Sequence, residues 1–135
     1  MIVDAVNPDI DQVRLTDSVA HTDTIATKFI VVPALDLAQN TQQFSIDTLC
    51  ARFAGMVESS IIISAPSMVK KSAAGNQHPL LKWLTNVSEN GHFNDDVLRD
   101  CQLFMINEYG VLYGMHTSIL GANAMRDAML QTITE

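Results

Sequence analysis

Two residues able to act together as nucleophile and base, or as ligands of one metal ion, stand at the ends of the segment CQLFMINEYGVLYGMH: Cys101 and His116. A thiol beside an imidazole ionises more readily and becomes a nucleophile, and the same two groups bind zinc. The segment reads as a β-hairpin turning through Asn107-Glu108-Tyr109-Gly110, with the glycine free to take a positive φ. Such a turn returns the end of the second strand to the start of the first. A zinc site needs further ligands, however, and none stands nearby with recognisable spacing. Both faces of the hairpin are largely apolar, which predicts an inner hairpin covered on two sides and a core role for Cys101. Glu108 and Tyr109 fall at the tip, a strand's length from the cysteine and too far to serve as its base. The expectation is a structural hairpin, with no catalytic residue, no metal and no cofactor.

The segment Ser67 to Lys82 is the second place where chemistry is written into residue types. It follows a buried apolar run and precedes a helix, the position at which α/β sheets hold ligands beyond the carboxyl ends of their strands. In a chain with only eight Lys and Arg, it gathers Lys70, Lys71, Ser72, Gly75, Asn76, Gln77 and His78. Ammonium groups with backbone amides at the next helix start can hold an anion, a phosphate or a nucleic-acid backbone. Neither a Walker loop nor a dinucleotide fingerprint is present. The candidate ligand-binding residues are Lys70, Lys71, Ser72, Asn76 and His78, with RNA a partner this local basic loop can reach.

Three smaller groupings read as surface. His92, Asp95 and Asp96 in HFNDD have oxygen and nitrogen donors, but a short helix capped by Asn94 accounts for them. PDIDQ has an Asp-x-Asp pair without the glycine and distal glutamate of a calcium loop. His21 and Asp23 have no serine or cysteine of nucleophilic context beside them. Asn86-Val87-Ser88 matches a glycosylation sequon, a triplet common by chance.

Charge and composition narrow the partners. The 135 residues carry a formal net charge of −7, which repels a phosphate backbone at long range and argues against free DNA or RNA as the main partner. Charged residues make up 17% of the chain, below the roughly 25% of an average domain, so much of the surface is polar but uncharged. Asp4 and Asp9 interrupt any secretory core in MIVDAVNPDIDQ, and apolar runs are far too short for a membrane span. Two cysteines make no disulfide framework. A soluble protein without membrane contact is expected, cytoplasmic or held within a virion.

The elements that must position these residues follow from periodicity. Residues 1–26 alternate short apolar pairs with Asp, Asn and Pro, and predict an acidic N-terminal arm or short strands. Residues 27–135 predict one domain: a strand at Phe29 to Val32 ended by Pro33, and a helix from an N-cap at Ser45 through Leu49, Cys50, Phe53 and Val57. SIIIS at 60–64 predicts a strand buried on both faces, completing a βαβ-like unit. PLLKWLTNVSENG predicts a helix with Pro79 in its first turn, a stripe of Leu80, Trp83, Leu84 and Val87, and a stop at Gly91. The hairpin and a helix in SILGANAMRDAMLQTI close the order. The fold class is α/β or α+β: a single domain with a central mixed sheet, a C-terminal β-hairpin and packed helices.

That final helix is apolar around most of its circumference, with Ile119, Ala122, Met125, Met129 and Ile133 on one stripe. A helix of this kind is covered on more than one side, and a second copy of the chain can supply the second cover. Ala122, Met125, Met129 and Ile133 are therefore the expected homodimer interface. The function expected is a non-enzymatic, oligomerising accessory or assembly subunit of a larger protein complex, a phage or viral particle being one such complex. The alternative is a small module binding an anionic ligand or RNA through the Lys70-Lys71 loop.

Overall fold

The computed structural model describes residues 1–22, 28–37, 44–56, 61–117 and 121–130. In chain order the elements are β1 (Ile2–Asp4), α1 (Ile10–Thr22), β2 (Ile30–Ala34), α2 (Ile46–Phe53), β3 (Ile62–Ile63), α3 (Pro79–Thr85), α4 (Val87–Asn90), β4 (Leu103–Ile106), β5 (Leu112–His116) and α5 (Ala122–Leu130). Short 3-10 segments occupy Ala54–Met56 and Lys71–Asn76. β1, β2 and β3 form a parallel sheet in that order, with Ile2 opposite Val32 and Ile30 opposite Ile62. β4 and β5 pair antiparallel as the expected hairpin. The Cys101 amide donates to the Ile2 carbonyl and the Ile2 amide to the Gln102 carbonyl, both at 2.8 Å, so the hairpin joins β1 on the edge away from β2.

Alternation along the strands sends successive side chains to opposite faces and so builds two cores. Val3, Val31, Leu103 and Met105 face one cluster with Val13 and Val19 of α1, Leu49 and Phe53 of α2, and Met125 and Ala128 of α5. Ile2, Val32, Ala34 and Leu112 face the other, under Leu81 and Leu84 of α3 with Val69 and Val97. The result is a mixed α/β single domain with the sheet between two helical layers. The strand–helix–strand run from β2 through α2 to β3 is the expected βαβ unit, and Ser45 caps α2 by accepting the Thr48 amide.

Residues 1–22, expected as an acidic arm or short strands, hold one short strand, β1, and a helix, α1, that their apolar pattern does not announce. β1 is the middle strand of the assembled sheet, between β2 and the hairpin, and α1 is a helix of 13 residues. Its apolar period is broken because Gln12 and Thr16 lie buried on the inward face, where the Thr16 hydroxyl donates to the Gln12 carbonyl at 2.9 Å. The local signal is the cap. Asp9 accepts the Gln12 amide at 3.1 Å, and Asp9-x-x-Gln12 has the form of a capping box.

Pro33 does not end β2, which runs on to Ala34. The amides of Ile62, Ser64 and Ser67 donate to Phe29, Val31 and Pro33 in turn. The donor that Pro33 lacks falls where the neighbouring chain bulges away at Ala65 and Pro66 between those bonds. β3 itself is short and exposed on both faces, with Ile62 at 50% and Ile63 at 42%, because it is the edge of the parallel sheet. The expectation of a strand buried on both faces is corrected accordingly.

Asn86 divides the next predicted helix into α3 and α4, and Gly91 ends the second at φ 81. The buried positions of α3 are Leu81, Leu84 and Thr85, while Val87 is exposed. Residues 94–98 form no helix. The Asn94 side chain accepts the Val87 amide, and Asp96 accepts the amides of Lys71 and Val97, so these capping side chains serve neighbouring segments.

Candidate functional site

The loop from Ser67 to His78 is tied down along its whole length. The Ser67 amide donates to the Pro33 carbonyl at 3.0 Å, and the His78 amide to the Met68 carbonyl at 2.9 Å. Asp36, just beyond β2, accepts the Val69 amide at 2.9 Å and the Lys70 amide at 2.9 Å. Asp96 accepts the Lys71 amide at 2.9 Å. From below, the buried Gln77 side chain donates to the Val69 carbonyl at 2.9 Å and to Thr85 Oγ1 at 3.0 Å. Three successive loop amides therefore end on the protein's own carboxylates. The start of α3 is likewise capped internally, the Leu80 amide donating to His78 Nδ1 at 3.1 Å.

What this scaffold leaves open is a cleft of about 510 Å³ between the 3-10 segment Lys71–Asn76 and α3, lined by Lys71, Ala74, Gly75, Gln77, Pro79, Lys82 and Asn86. Lys71 Nζ donates to the carbonyl and side-chain oxygens of Asn94 at 3.0 and 3.2 Å. Lys82 Nζ lies 4.0 Å from Glu89 Oε1, in an ion pair with both side chains well exposed. The far wall turns at Ala74, whose φ of 49 and ψ of −118 belong to a region that favours glycine.

Of the candidate ligand residues, Lys71 lines the cleft, while Ser72 and Asn76 are exposed on the same 3-10 segment. Lys70 is held through its amide, and His78 is spent on the helix cap. Lys82 closes the Ser67 to Lys82 segment, and neither it nor Asn86 was among the expected ligand residues. Their nearness to Lys71 depends on how α3 folds back, and the remaining local cue was a third lysine in the segment, one turn past Pro79.

The hairpin carries its other candidates apart from this cleft. Cys101 is 5% exposed and sits at φ 66. Burial pushes its thiol up to about 12, and the carboxylates of Asp100 and Asp9 push in the same direction. A thiol in that state is a poor nucleophile. His116 stands opposite Leu103 in the hairpin register. Burial also raises the Asp100 carboxyl, opposed by the Asp4 amide that it accepts at 2.9 Å.

His92 and Tyr113 border a smaller hollow of about 210 Å³ with Phe93 and Asn107. Asp95 is exposed, and Asp9 is the cap of α1. Among the described residues no three His, Cys, Asp or Glu side chains gather as metal ligands, and no helix is long and apolar enough to cross a membrane.

Of the expected interface residues, Met125 is 1% exposed and packs in its own domain's core, where α1 and α5 lie together. The second cover of that position comes from the same chain. The side chains of Ala122 and Met129, and all of Ile133, lie outside the described residues, as do the side chain of His21 and all of Asp23.

Neither a family model nor a curated protein matches the chain.

Proposed function

We propose that this protein is a non-enzymatic, oligomerising accessory or assembly subunit of a larger complex, and that it associates with a second copy through the β3 edge. The observation that carries this reading is the pair Ile30 and Ile62, neighbours across the β2–β3 ladder and 41% and 50% exposed. Ile30 alternates with Val32, which α3 covers, but the helical layer stops short of the strand's beginning. Ile63 adds apolar surface on the opposite face of the same edge.

Backbone geometry fits the same use. Alternate amides of a parallel strand face opposite sides, and Ile62 and Ser64 donate inward to β2. The Ile63 amide therefore points to the outer edge. An edge strand with apolar side chains is a template for another strand unless charge, proline or a covering element blunts it. A two-fold axis beside β3 would set the two edges antiparallel and pair each isoleucine patch with its own copy. The non-enzymatic part rests on Cys101, whose burial and raised thiol pKa suit a packing role.

Native mass spectrometry across a micromolar dilution series tests the reading. The expected result is a dimer in the unaltered chain and a folded monomer for Ile62→Lys, since the side chain already meets solvent in a single copy. A monomer at every concentration sinks the homo-oligomer. A dimer untouched by Ile62→Lys moves the contact elsewhere.

A further inference from the structure

The cleft between the Lys71–Asn76 segment and α3 is unused by an interaction through β3, and its charge has an uncommon arrangement. In a chain of net charge −7, Lys71 and Lys82 both line it, and no carboxylate among the described residues does. The Lys71 ammonium is steadied by two neutral oxygens of Asn94, and Asp96 is committed to the Lys71 and Val97 amides. Lys82 is loosely restrained, by a 4.0 Å pairing with Glu89 that solvent screens. The wall opposite turns through Ala74 at φ 49, ψ −118, a strained conformation of the kind that collects at ligand sites.

From these we infer that the cleft binds a small ligand through a phosphate group held between Lys71 and Lys82. Two ammonium donors suit a doubly charged tetrahedral oxyanion. The volume of about 510 Å³ lies in the range of small-molecule sites and exceeds what a bare phosphate fills, so a small phosphomonoester is the better occupant than the free anion. A polyanion is a poor fit. Glu89 stands exposed beside Lys82, and the whole-chain charge opposes a nucleic-acid backbone. The inference extends the site beyond the Lys70-Lys71 loop, whose amides are already occupied, and it does not depend on the oligomeric state.

The test is an amide-resolved NMR titration at low ionic strength with glycerol 3-phosphate, with inorganic phosphate, and with sodium chloride of matched ionic strength. Saturable shifts at Lys71, Ala74, Gly75 and Lys82 with the first two probes, absent with chloride, are the expected result. Tighter binding of glycerol 3-phosphate identifies a phosphomonoester site, and equal binding identifies inorganic phosphate as the source of the same chemistry. Lys82→Ala should weaken binding about tenfold, and Glu89→Gln should strengthen it by releasing the ammonium. Both residues are exposed, so the unchanged remainder of each spectrum reports an intact fold. Linear, chloride-like shifts, or an affinity that ignores both variants, overturn the proposal. A short single-stranded RNA that binds at these residues and is not displaced by phosphate overturns it in favour of nucleic acid.

Discussion

Asp36 accepts the backbone amide of Lys70 at 2.9 Å, and the same carboxylate takes the neighbouring Val69 amide. One side chain at the end of β2 thus fixes the entry of the loop that follows β3. A carboxylate receiving two amides is a charge-assisted contact, stronger than a neutral hydrogen bond. Asp36→Ala leaves both partly buried amides without an acceptor and should cost about 2 kcal/mol in chemical denaturation. Faster hydrogen exchange confined to Val69 and Lys70 would show that the loss is local, and unchanged stability would remove Asp36 from this role.

Asn90, the last residue of α4, does comparable work beneath α3. Its Nδ2 donates to the carbonyls of Trp83, Leu84 and Phe93, and its Oδ1 accepts the amides of His92 and Phe93. Asn90→Ala should destabilise by about 3 kcal/mol, because several backbone groups lose their partner at once. Asn90→Asp keeps the acceptors but not the donors. Its thermal midpoint should therefore fall between those of the unaltered chain and the alanine variant.

Cys101 sets a pH dependence with a definite sign. Its folded-state thiol titrates at about 12, above the ordinary value of 9.0, so the folded chain keeps a proton that the unfolded chain loses. This contribution to stability is fully present below about pH 9 and declines towards pH 12, with a slope of up to about 1.4 kcal/mol per pH unit. Comparing urea midpoints of the unaltered chain and Cys101→Ala across that window tests it, the decline being expected in the unaltered chain and absent in the variant. At pH 8, iodoacetamide should modify the exposed Cys50 and spare Cys101 until the protein unfolds. Prompt alkylation of both sulfurs would contradict the buried thiol.

Ala74 offers a stabilising substitution. At φ 49 and ψ −118 its Cβ is strained, and Ala74→Gly should raise stability by about 1 kcal/mol after the added flexibility of the unfolded chain is counted. Ala74→Val should lower it. The two melting temperatures, measured together, decide whether the turn holds this geometry in solution.

Much of the architecture was legible along the chain. The Ser45 cap, the hairpin turn with Gly110 at φ 78 and the αL stop at Gly91 were readable because each depends on a few adjacent residues. α1 escaped because its inward face carries Gln12 and Thr16, polar groups whose burial is made tolerable by partners that periodicity does not reveal. The edge position of β3 is hidden for a related reason. A run of isoleucines reads the same at the centre of a sheet and at its edge, and only strand order separates the two. The cleft was half legible: Lys70 and Lys71 stood out as cations in a cation-poor chain, but Lys82 lies on the following helix and Asn86 at its end, and they meet Lys71 only after the backbone folds back.

By itself, then, the sequence determined the composition of a mixed α/β domain, the start of α2 at the Ser45 cap, the stop at Gly91 and the turn of the hairpin, and it carries no familiar catalytic spacing. Caps, turns and apolar periods act over a few residues, so they survive in one dimension. The tertiary structure alone decided which amides of the Lys70 loop are already bound by Asp36 and Asp96, that Met125 belongs to the core and Ile62 to the surface, and that Lys71 and Lys82 share a cleft. Each of those depends on contacts between distant segments, and such contacts are set by how the two faces of one sheet are covered.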